Sequence, residues 1–488
     1  MKFVYTIFLL FLFQQSFSHT LIIGNGKGVI QQNDMKGLQP GDTLAIRAGF
    51  YEKGGSFSNL DHITIVNYKG IVDFGATILV GNLNHVYING SGWKEEIYGF
   101  RFRNLHADAF LLQGPCQHFG ISFFEFRNLD GIAFNASRSF ITYTGDSSTC
   151  ALYKTTFRNL RLINSGALFV GSWDANSLFR NVVDSIAFLQ VIVDSTSSDV
   201  CQVLGHSIYR MFASHWRITG PCSNGKHDAG IFQTAGNGTV CNIYRKDGFG
   251  YIWRSYNLAL NGRADSYVYN CIDLSTDNYG TVDTRIEAGD TTTGNTIPFI
   301  RGASMHVLNN TSGNKRTHNY VSVLVVAGNF FPENGYILEV RNNLSFNNIT
   351  IGANPMIKQN TADIITDTSN NIYSPDPIYA EILLDTIECK LNPASPAINQ
   401  ALSYPFINTD IDGISRPVGV AADIGAREFP NAALILTPRH TFSIPKKRVL
   451  KGLGLIIVII SMYVGYAKTR KNRPDSTYKF EGQPPEKG

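Results

Sequence analysis

Charged side chains are scarce in this sequence, and the basic ones are unevenly placed. Asp, Glu, Lys and Arg make up 16% of the 488 residues, against about 25% in typical soluble proteins. The formal charge of +4 combines +7 in residues 446–488 and +1 in residues 1–17 with −4 in residues 18–445. Phosphate binding requires a concentrated Lys and Arg surface. The body of the chain is therefore predicted not to bind nucleic acid.

Cysteine motifs are also missing. The seven Cys residues include no Cys-x-x-Cys pair, so the sequence disfavours zinc and thioredoxin-type sites. Because seven is an odd number, at least one thiol is free or pairs with another molecule. Two interpretations stay open for the others: thiols that pack as small hydrophobic side chains, and a disulfide framework, which export would permit.

Long apolar runs occur near the two ends of the chain. The first is Phe3–Phe13, which follows Lys2 and precedes the small residues Ser16 and Ser18. A charged start, a short apolar centre and a small-residue cleavage point are typical of a secretory signal peptide. Residues 1–18 are therefore predicted to direct export.

The second apolar run is Val449–Ala467. A run of this length, at about 1.5 Å per residue, just crosses a bilayer core of about 30 Å. Four basic residues lie at its start and four at its end, so the positive-inside rule gives no orientation. The signal peptide decides instead. We expect a single-pass membrane protein with residues 19–430 on the periplasmic or extracellular side, a linker at 431–448 and a basic cytoplasmic tail at 468–488.

Helical periodicity is scarce between these two runs. Short runs of β-branched and aromatic residues alternate with polar ones instead, as in His62–Val66, His85–Asn89 and Tyr320–Val325. Such alternation is typical of β-strands. The runs are separated neither by helices nor by two-residue turns, so they are not predicted to pair as hairpins.

One tetrapeptide recurs along the chain. Phe-Arg-Asn-Leu occurs at Phe102–Leu105, Phe126–Leu129 and Phe157–Leu160, and each copy leads into a small residue and an apolar pair. A recurrence at such intervals marks a solenoid whose coils cover one another. Strands without helices make that solenoid a parallel β-helix. We predict that Phe and Leu point inward, that Arg points outward, and that Asn hydrogen-bonds its equivalents on neighbouring coils.

A second alignment relates the segments 226–233, 246–253 and 276–283. Neighbouring residues on a strand point to opposite sides, so the alignment separates core residues from exposed ones. The residues predicted to face the core are Phe232, Ile252 and Val282; those predicted to face solvent are Gln233, Trp253 and Asp283. The alignment also places Cys241 and Cys271 on equivalent positions about 4.8 Å apart, which permits either a disulfide or a stack of thiols.

Both ends of this region resemble a known superfamily. Leu38–Leu44, followed by Ala48–Tyr51, resembles the opening coil of the pectate-lyase-like right-handed parallel β-helix superfamily. Asn392–Ile398, Asp410–Gly413 and Asp423–Phe429 resemble the C-terminal capping segment of its bacterial surface members. The resemblance implies an all-β right-handed parallel β-helix over residues 19–430. It implies no single activity, because this architecture carries lyases, hydrolases, adhesins and inert scaffolds.

Enzymes of this superfamily act on polysaccharides that lie along the outside of the coils, so a polysaccharide is the expected partner. Lyase chemistry on a uronate requires a cation for the carboxylate and a base for the acidified C–H, whereas hydrolysis requires two carboxylates at a set separation. Residues 206–285 hold the densest supply of such groups. The predicted catalytic residues are His227, as the base, with Lys246, Arg254 and Asp228. The predicted substrate-binding residues are Trp253 and Tyr251, as sugar platforms, with Lys226, Arg245 and Asp283.

Cofactor motifs are weak in this sequence, and no metal site is predicted. Calcium is the one ion considered, through oxygen ligands on Asp273, Asp277, Asn278 and Asp283, which lack a compact loop spacing. Asn408–Asp410 matches the first motif of polygalacturonase-type hydrolases. Its companion Asp-Asp and Gly-His-Gly motifs are absent from the sequence, so we interpret it as structural.

Two functions follow from these observations. The first is an exported, membrane-anchored β-helix protein that binds or cleaves polysaccharide, with lyase slightly favoured over hydrolase. The second is a non-catalytic surface adhesin or structural β-helix. The sequence leaves both open, because the enzyme motifs that would decide between them are missing.

Overall fold

The computed structural model describes fourteen segments of the chain, and all structural statements below concern them. They are residues 18–137, 150–171, 183–203, 211–220, 230–234, 238–246, 251–255, 265–275, 282–286, 304–313, 324–328, 337–346, 357–359 and 365–430. The predicted signal peptide up to residue 17, the linker, the membrane segment Val449–Ala467 and the tail lie outside them. Within the fourteen segments, no helix is both long and apolar enough to span a bilayer.

The described residues form thirty β-strands and one short 3-10 helix, Gln32–Met35. The strand bounds are β1 Thr20–Ile23, β2 Thr43–Tyr51, β3 Gly55–Asp61, β4 Thr64–Phe74, β5 Ile78–Asn84, β6 Tyr87–Asn89, β7 Phe100–Leu105, β8 Phe110–Leu112, β9 Cys116–Gln117, β10 Gly120–Leu129, β11 Ile132–Asn135, β12 Leu152–Ile163, β13 Ala167–Val170, β14 Val183–Val193, β15 Cys201–Val203, β16 Met211–Ile218, β17 Gly230–Thr234, β18 Gly238–Arg245, β19 Tyr251–Ser255, β20 Asp265–Tyr269, β21 Ile272–Asp273, β22 Val282–Ile286, β23 Ser304–Leu308, β24 Thr311–Gly313, β25 Leu324–Gly328, β26 Ile337–Arg341, β27 Leu344–Phe346, β28 Ile357–Gln359, β29 Ile365–Asp367 and β30 Ile372–Ser374.

Every strand pair in the described part of the chain is parallel and joins one coil to the next. One series runs β1–β2–β4–β7–β10–β12–β14–β16–β18–β20–β23–β26–β29, and a second runs β3–β5–β8–β11–β13–β15–β17–β19–β22–β25–β28. Stacked parallel strands without helices form a parallel β-helix, which confirms that prediction. The right-handed sense, expected from the preference of parallel crossovers, stays a prediction.

Large apolar side chains fill the inside of the coils. Phe110, Phe134 and Phe169 occupy matching positions on successive coils, and Cys201 and Phe232 continue the column. Each of the five is at most 1% exposed, and burying a Phe side chain contributes about 1.5–3 kcal/mol. The Phe that ends the apolar pair after each Phe-Arg-Asn-Leu copy is therefore part of the core. Phe and Leu of the motif itself are also buried in all three copies, as predicted.

The longest strands bend at residues that have a left-handed backbone. In β12 these residues are Lys154 and Asn159, with φ of 50° and 51°, and Phe157 and Leu160 on either side of Asn159 are both buried. Left-handed φ interrupts the two-residue alternation of a strand, and Asn adopts it more readily than most residues. Phe-Arg-Asn-Leu is thus a corner motif: an inward Phe, an outward Arg, a left-handed Asn and an inward Leu.

The predicted Asn ladder exists, with one change of partner. Asn128 Nδ2 donates to Asn104 Oδ1 at 2.8 Å, and Asn164 Nδ2 donates to Asn128 Oδ1 at 3.2 Å. The prediction that Asn159 of the third copy joins this ladder is wrong, because Phe157 pairs with Ile121 and not with Phe126. The third copy forms a different corner of the coil, which the motif fits equally well.

Residues 375–430, which we call the terminal segment, include the predicted cap from Asn392 to Phe429; they form no strand and pack along the side of the later coils. Asn residues with a left-handed backbone at the corners of these coils donate side-chain hydrogen bonds to backbone carbonyls of residues 375–430. These bonds are Asn270 to Thr409 (2.6 Å), Asn309 to Asp423 (3.2 Å), Asn342 to Leu402 (2.8 Å) and Asn370 to Gln400 (3.1 Å). Asp410 is buried, and its carboxylate accepts hydrogen bonds from the backbone N–H groups of Asp412, Ile414 and Glu428. Its role is therefore structural.

Six of the seven cysteines lie in the described segments and all six are buried, and Cys116, Cys201, Cys241, Cys271 and Cys389 are free thiols. This confirms the thiol interpretation for those five; Cys222 lies outside the described residues. The predicted equivalence of Cys241 and Cys271 is wrong, because Cys241 pairs in register with Tyr269. Burial raises the pKa of Cys116 to about 12, so this thiol stays protonated and packs as an apolar group.

Candidate functional site

The predicted site residues fall into three groups in the structure. Lys226, His227 and Asp228 lie outside the described residues. Arg254 and Asp283 are register partners on β19 and β22, and only their backbone is described. Lys246 is exposed directly after β18, so it is available on the outer surface.

The predicted sugar platforms do not lie on the surface. Trp253 is fully buried and Tyr251 is 3% exposed. Phe232 pairs with Trp253, and Trp253 pairs with Val282, so the register partner of Phe232 is Trp253 and not Ile252. Because side chains alternate along a strand, a shift of one position exchanges the inner and outer faces. The predictions that Trp253 faces solvent and that both residues bind substrate are therefore wrong.

Arg245 is also inside the coils, contrary to its predicted role in substrate binding. Strand register links Phe126 to Leu162, Val193, Ile218 and Arg245 in turn on successive coils, so Arg245 lies in the same inward column as Phe126. Arg245 and Asp273 side chains are both 0% exposed, and the guanidinium bonds the carboxylate twice, at 2.9 and 2.7 Å. Because Asp273 is paired with Arg245 inside the coils, it also does not fit as one of the calcium ligands considered from the sequence.

A cluster that sequence reasoning missed lies on the outer surface of earlier coils. Arg101, Glu125 and Arg161 are register partners on β7, β10 and β12. Arg103 and Arg127, two positions further along their strands, form a second outward column. We call the surface of these five residues the arginine face.

Glu125 is the centre of the arginine face. Its side chain is 6% exposed, and three guanidinium groups surround it, with nitrogen–oxygen distances of 3.4 Å to Arg127, 3.6 Å to Arg161 and 3.9 Å to Arg101. A buried carboxylate requires such compensation. These distances exceed the usual range of an N–H···O hydrogen bond, so Glu125 balances the charge of the three arginines without saturating their N–H donors. Arg127 and Arg161 are 44% and 37% exposed.

Further carboxylates border the face. Glu96 contacts Arg101 at 3.3 Å and Asp194 contacts Arg161 at 3.1 Å, and Asp73 pairs with Arg103. Tyr98 lies on the segment between β6 and β7, close enough to Arg161, Glu125 and Asp194 for their charges to act on its hydroxyl. Burial raises the pKa of Tyr98, so its hydroxyl stays protonated at neutral pH and acts as a hydrogen-bond donor.

The terminal segment sets the limit of the arginine face. Past Arg161 the outward column continues through Ile192, Arg217, Tyr244 and Ile272. The Tyr244 hydroxyl donates to the carbonyl of Ile387 at 3.2 Å, and Ile272 is buried in the cluster that includes residues 382–426 of the terminal segment. The terminal segment thus covers the column at Tyr244 and Ile272, whereas Arg161 is 37% exposed.

Lys246 lies on the same outer surface. It follows Arg245 and so continues the Arg103–Arg127 column four coils beyond Arg127. The five residues of the arginine face and the bordering carboxylates Asp73, Glu96 and Asp194 hold four cations and four carboxylates. This part of the surface is therefore neutral within a body whose charge is −4.

The repeat itself held the signal for this site. Residues 100–105 read Phe-Arg-Phe-Arg-Asn-Leu and residues 124–129 read Phe-Glu-Phe-Arg-Asn-Leu. The alignment puts Arg101 beside Glu125 and Arg103 beside Arg127, and the motif arginines Arg103 and Arg127 were expected to face outward. Among the described residues, Asp61, His62 and His85 also form one group of potential metal ligands.

Comparisons with known proteins show a likeness at the level of structure. No family model and no curated protein matches this sequence. The crystal structure of pectate lyase Pel9A is similar to this chain with a TM-score of 0.45 and 13% sequence identity, over 84% of this chain and 98% of that one.

Proposed function

We propose that this protein is an exported, membrane-anchored β-helix protein that binds acidic polysaccharide on the arginine face. The observation that carries the proposal is the buried Glu125 among three arginines whose donors it does not saturate. Arg presents a planar fork of N–H donors that matches a carboxylate. Stacked coils repeat these donors about every 4.8 Å, so the face suits a polymer with a carboxylate on successive sugars.

The exposed groups of the face favour elimination over hydrolysis as its chemistry. Hydrolysis needs two carboxylates that reach the glycosidic bond, and Glu125 is only 6% exposed. Elimination needs a cation beside the uronate carboxylate and a base near the acidified C–H. Arg127 and Arg161 supply the cations. Lys246 lies four coils beyond Arg127, about 19 Å away at about 4.8 Å per coil, so it is not the base for a uronate held by these two arginines. The set predicted from the sequence, His227 as the base with Lys246, Arg254 and Asp228, stays a separate proposal.

Binding to purified polysaccharides tests the proposal. We expect polygalacturonate or alginate to bind, and the double variant Arg127→Ala/Arg161→Ala to bind at least tenfold more weakly, about 1.4 kcal/mol. Arg158→Ala is the matched control, because Arg158 lies before the corner of β12 and bonds Gln190 at 2.9 Å. Equal binding by both variants, or no binding to any acidic polymer, would contradict the proposal.

The products separate the proposed activities. Unsaturated products with ultraviolet absorbance identify a lyase, and new reducing ends without absorbance identify a hydrolase. Binding without product supports the second function, a non-catalytic adhesin or structural β-helix that presents the same face.

A further inference from the structure

Three histidines stack in a column at one corner of successive coils. His62, His85 and His118 each have a left-handed backbone, with φ of 53°, 52° and 50°. The ring centroids of His62 and His85 are 4.2 Å apart, and those of His85 and His118 are 4.1 Å apart. The ring planes differ by 11° and 8°, so each imidazole lies flat on the next. Corner positions repeat from coil to coil, and this repetition aligns the rings.

Hydrogen bonds assign the tautomer of the first two rings. His62 Nδ1 lies 2.9 Å from Asp61 Oδ1, and His85 Nδ1 lies 3.0 Å from Asn84 Oδ1. Asn84 uses its amide N–H to donate to Asp61 Oδ1 at 2.8 Å, so its Oδ1 is the acceptor that faces His85. Both Nδ1 atoms therefore carry the proton, and both Nε2 atoms keep a lone pair.

From this arrangement we infer a binding site for a late first-row divalent transition-metal ion, such as zinc, copper or nickel, on the histidine column. His62 and His85 supply Nε2 ligands, and His118 offers a third imidazole on the next coil. Imidazole nitrogen is a preferred ligand of these metals. A ligating histidine usually donates its other N–H to a carboxylate or carbonyl, which fixes the ring, and Asp61 and Asn84 already do so.

Distances and exposure allow the site to form. One ligand atom from each of Asp61, His62 and His85 lies within 4.8 Å of the other two, and metal–imidazole bonds of about 2.0–2.1 Å place two nitrogens of a shared ion at most about 4 Å apart. Because the stacked rings hold their lone pairs parallel, the rings must tilt out of the stack for both lone pairs to point at one ion. His62 and Asp61 side chains are 50% and 52% exposed, so the ion has access and the His62 ring has room to tilt.

The charges around the column favour a cation at the His62 end. Asp61 supplies a negative charge next to His62, whereas Lys154 at the following corner lies beyond His118. The site is independent of the arginine face and of polysaccharide binding.

Titration of the full chain, purified without a histidine tag, with zinc chloride and nickel chloride tests the site. We expect His85→Asn, which removes the middle ring, to weaken binding at least tenfold. Asp61→Asn keeps all three imidazoles but removes the carboxylate acceptor, and 10- to 100-fold weaker binding is expected from that class of change. His106→Asn is the matched control, because His106 pairs with Asp130 and is 87% exposed without a stacked histidine.

Stability measurements keep the test independent of folding. Zinc should raise the melting temperature of the unaltered protein and of His106→Asn, but not that of His85→Asn, since a ligand stabilises only a state that binds it. Equal metal affinity for the unaltered protein and His85→Asn would overturn the proposal. So would a loss of affinity in His106→Asn as large as that in His85→Asn.

Discussion

Arg245 and Asp273 show how a single residue can reverse the role that its chemistry suggests. An arginine among His, Asp and Lys residues looks like a surface ligand, yet this one completes an ion pair inside the coils. Ser275 Oγ and N–H also bond Asp273 Oδ1, at 2.8 and 3.2 Å. The pair is costly to desolvate, so its value to the fold depends on both partners being present.

Removal of one partner of this pair should therefore be severe. We expect Asp273→Ala to lower the free energy of unfolding by about 3–5 kcal/mol, because it leaves the charge of Arg245 buried and uncompensated. The double variant Arg245→Met/Asp273→Leu should recover most of that loss. Urea denaturation followed by circular dichroism measures both. A single variant as stable as the unaltered protein would show that the pair is not buried in solution.

Corners set the geometry of the strands at the scale of elements. Each corner needs a left-handed residue, and Asn meets that need while its side chain bonds the corner of the next coil. Asn128, with φ of 54°, has partners on both sides, Asn104 and Asn164. Each corner therefore supports its neighbours, which keeps the outward columns of the arginine face in register.

Substitution at this corner separates backbone strain from hydrogen bonding. Asn128→Ala should lower the free energy of unfolding by about 1–2 kcal/mol or more, because Ala disfavours a left-handed φ and both ladder bonds are lost. Asn128→Gly also loses the bonds but tolerates the backbone, so its loss should be smaller. Thermal unfolding of the two variants gives the comparison. A Gly variant less stable than the Ala variant would mean that backbone strain is unimportant there.

The terminal segment joins distant parts of the whole molecule. Tyr404 donates its hydroxyl proton to Glu339 Oε1 at 2.7 Å, while His306 Nδ1 lies 2.6 Å from Glu339 Oε2. Burial alone would raise the pKa of Glu339, but the hydrogen bonds of Tyr404 and His306 and the charge of Arg341 outweigh it and lower the pKa below its ordinary value of 4.5. The charged form of Glu339 therefore helps to hold the segment on the coils.

This contact should make stability depend on pH on the acid side. A carboxylate with a lowered folded pKa contributes stability above about pH 4.5 and loses it as the pH falls through the folded pKa. Tyr404→Phe removes one donor, so it should reduce stability near neutral pH and flatten the decline below pH 4.5. Unfolding curves of both proteins between pH 3 and 7 provide the measurement; a constant difference across that range would count against the linkage.

The sequence determined the kind of molecule. Alternating strands, and a corner motif of Phe, Arg, Asn and Leu that recurs at Phe102–Leu105 and Phe126–Leu129, leave a parallel β-helix as the structure that buries the apolar positions. The inward Phe column and the Asn ladder followed from that motif, and so did the outward direction of Arg103 and Arg127. These features are local, so each copy of the motif carries them by itself.

Only the tertiary structure decided the register of the strands and which coils the terminal segment covers. An error of one position in the alignment of Trp253 exchanged the core for the surface, because side chains alternate along a strand. The motif fits two corners of the coil, so sequence comparison could not place Asn159. No local pattern shows that the terminal segment covers the later coils and leaves the arginine face open. That contact joins residues more than one hundred positions apart, such as Tyr244 and Ile387, and it exists only once the coils have stacked.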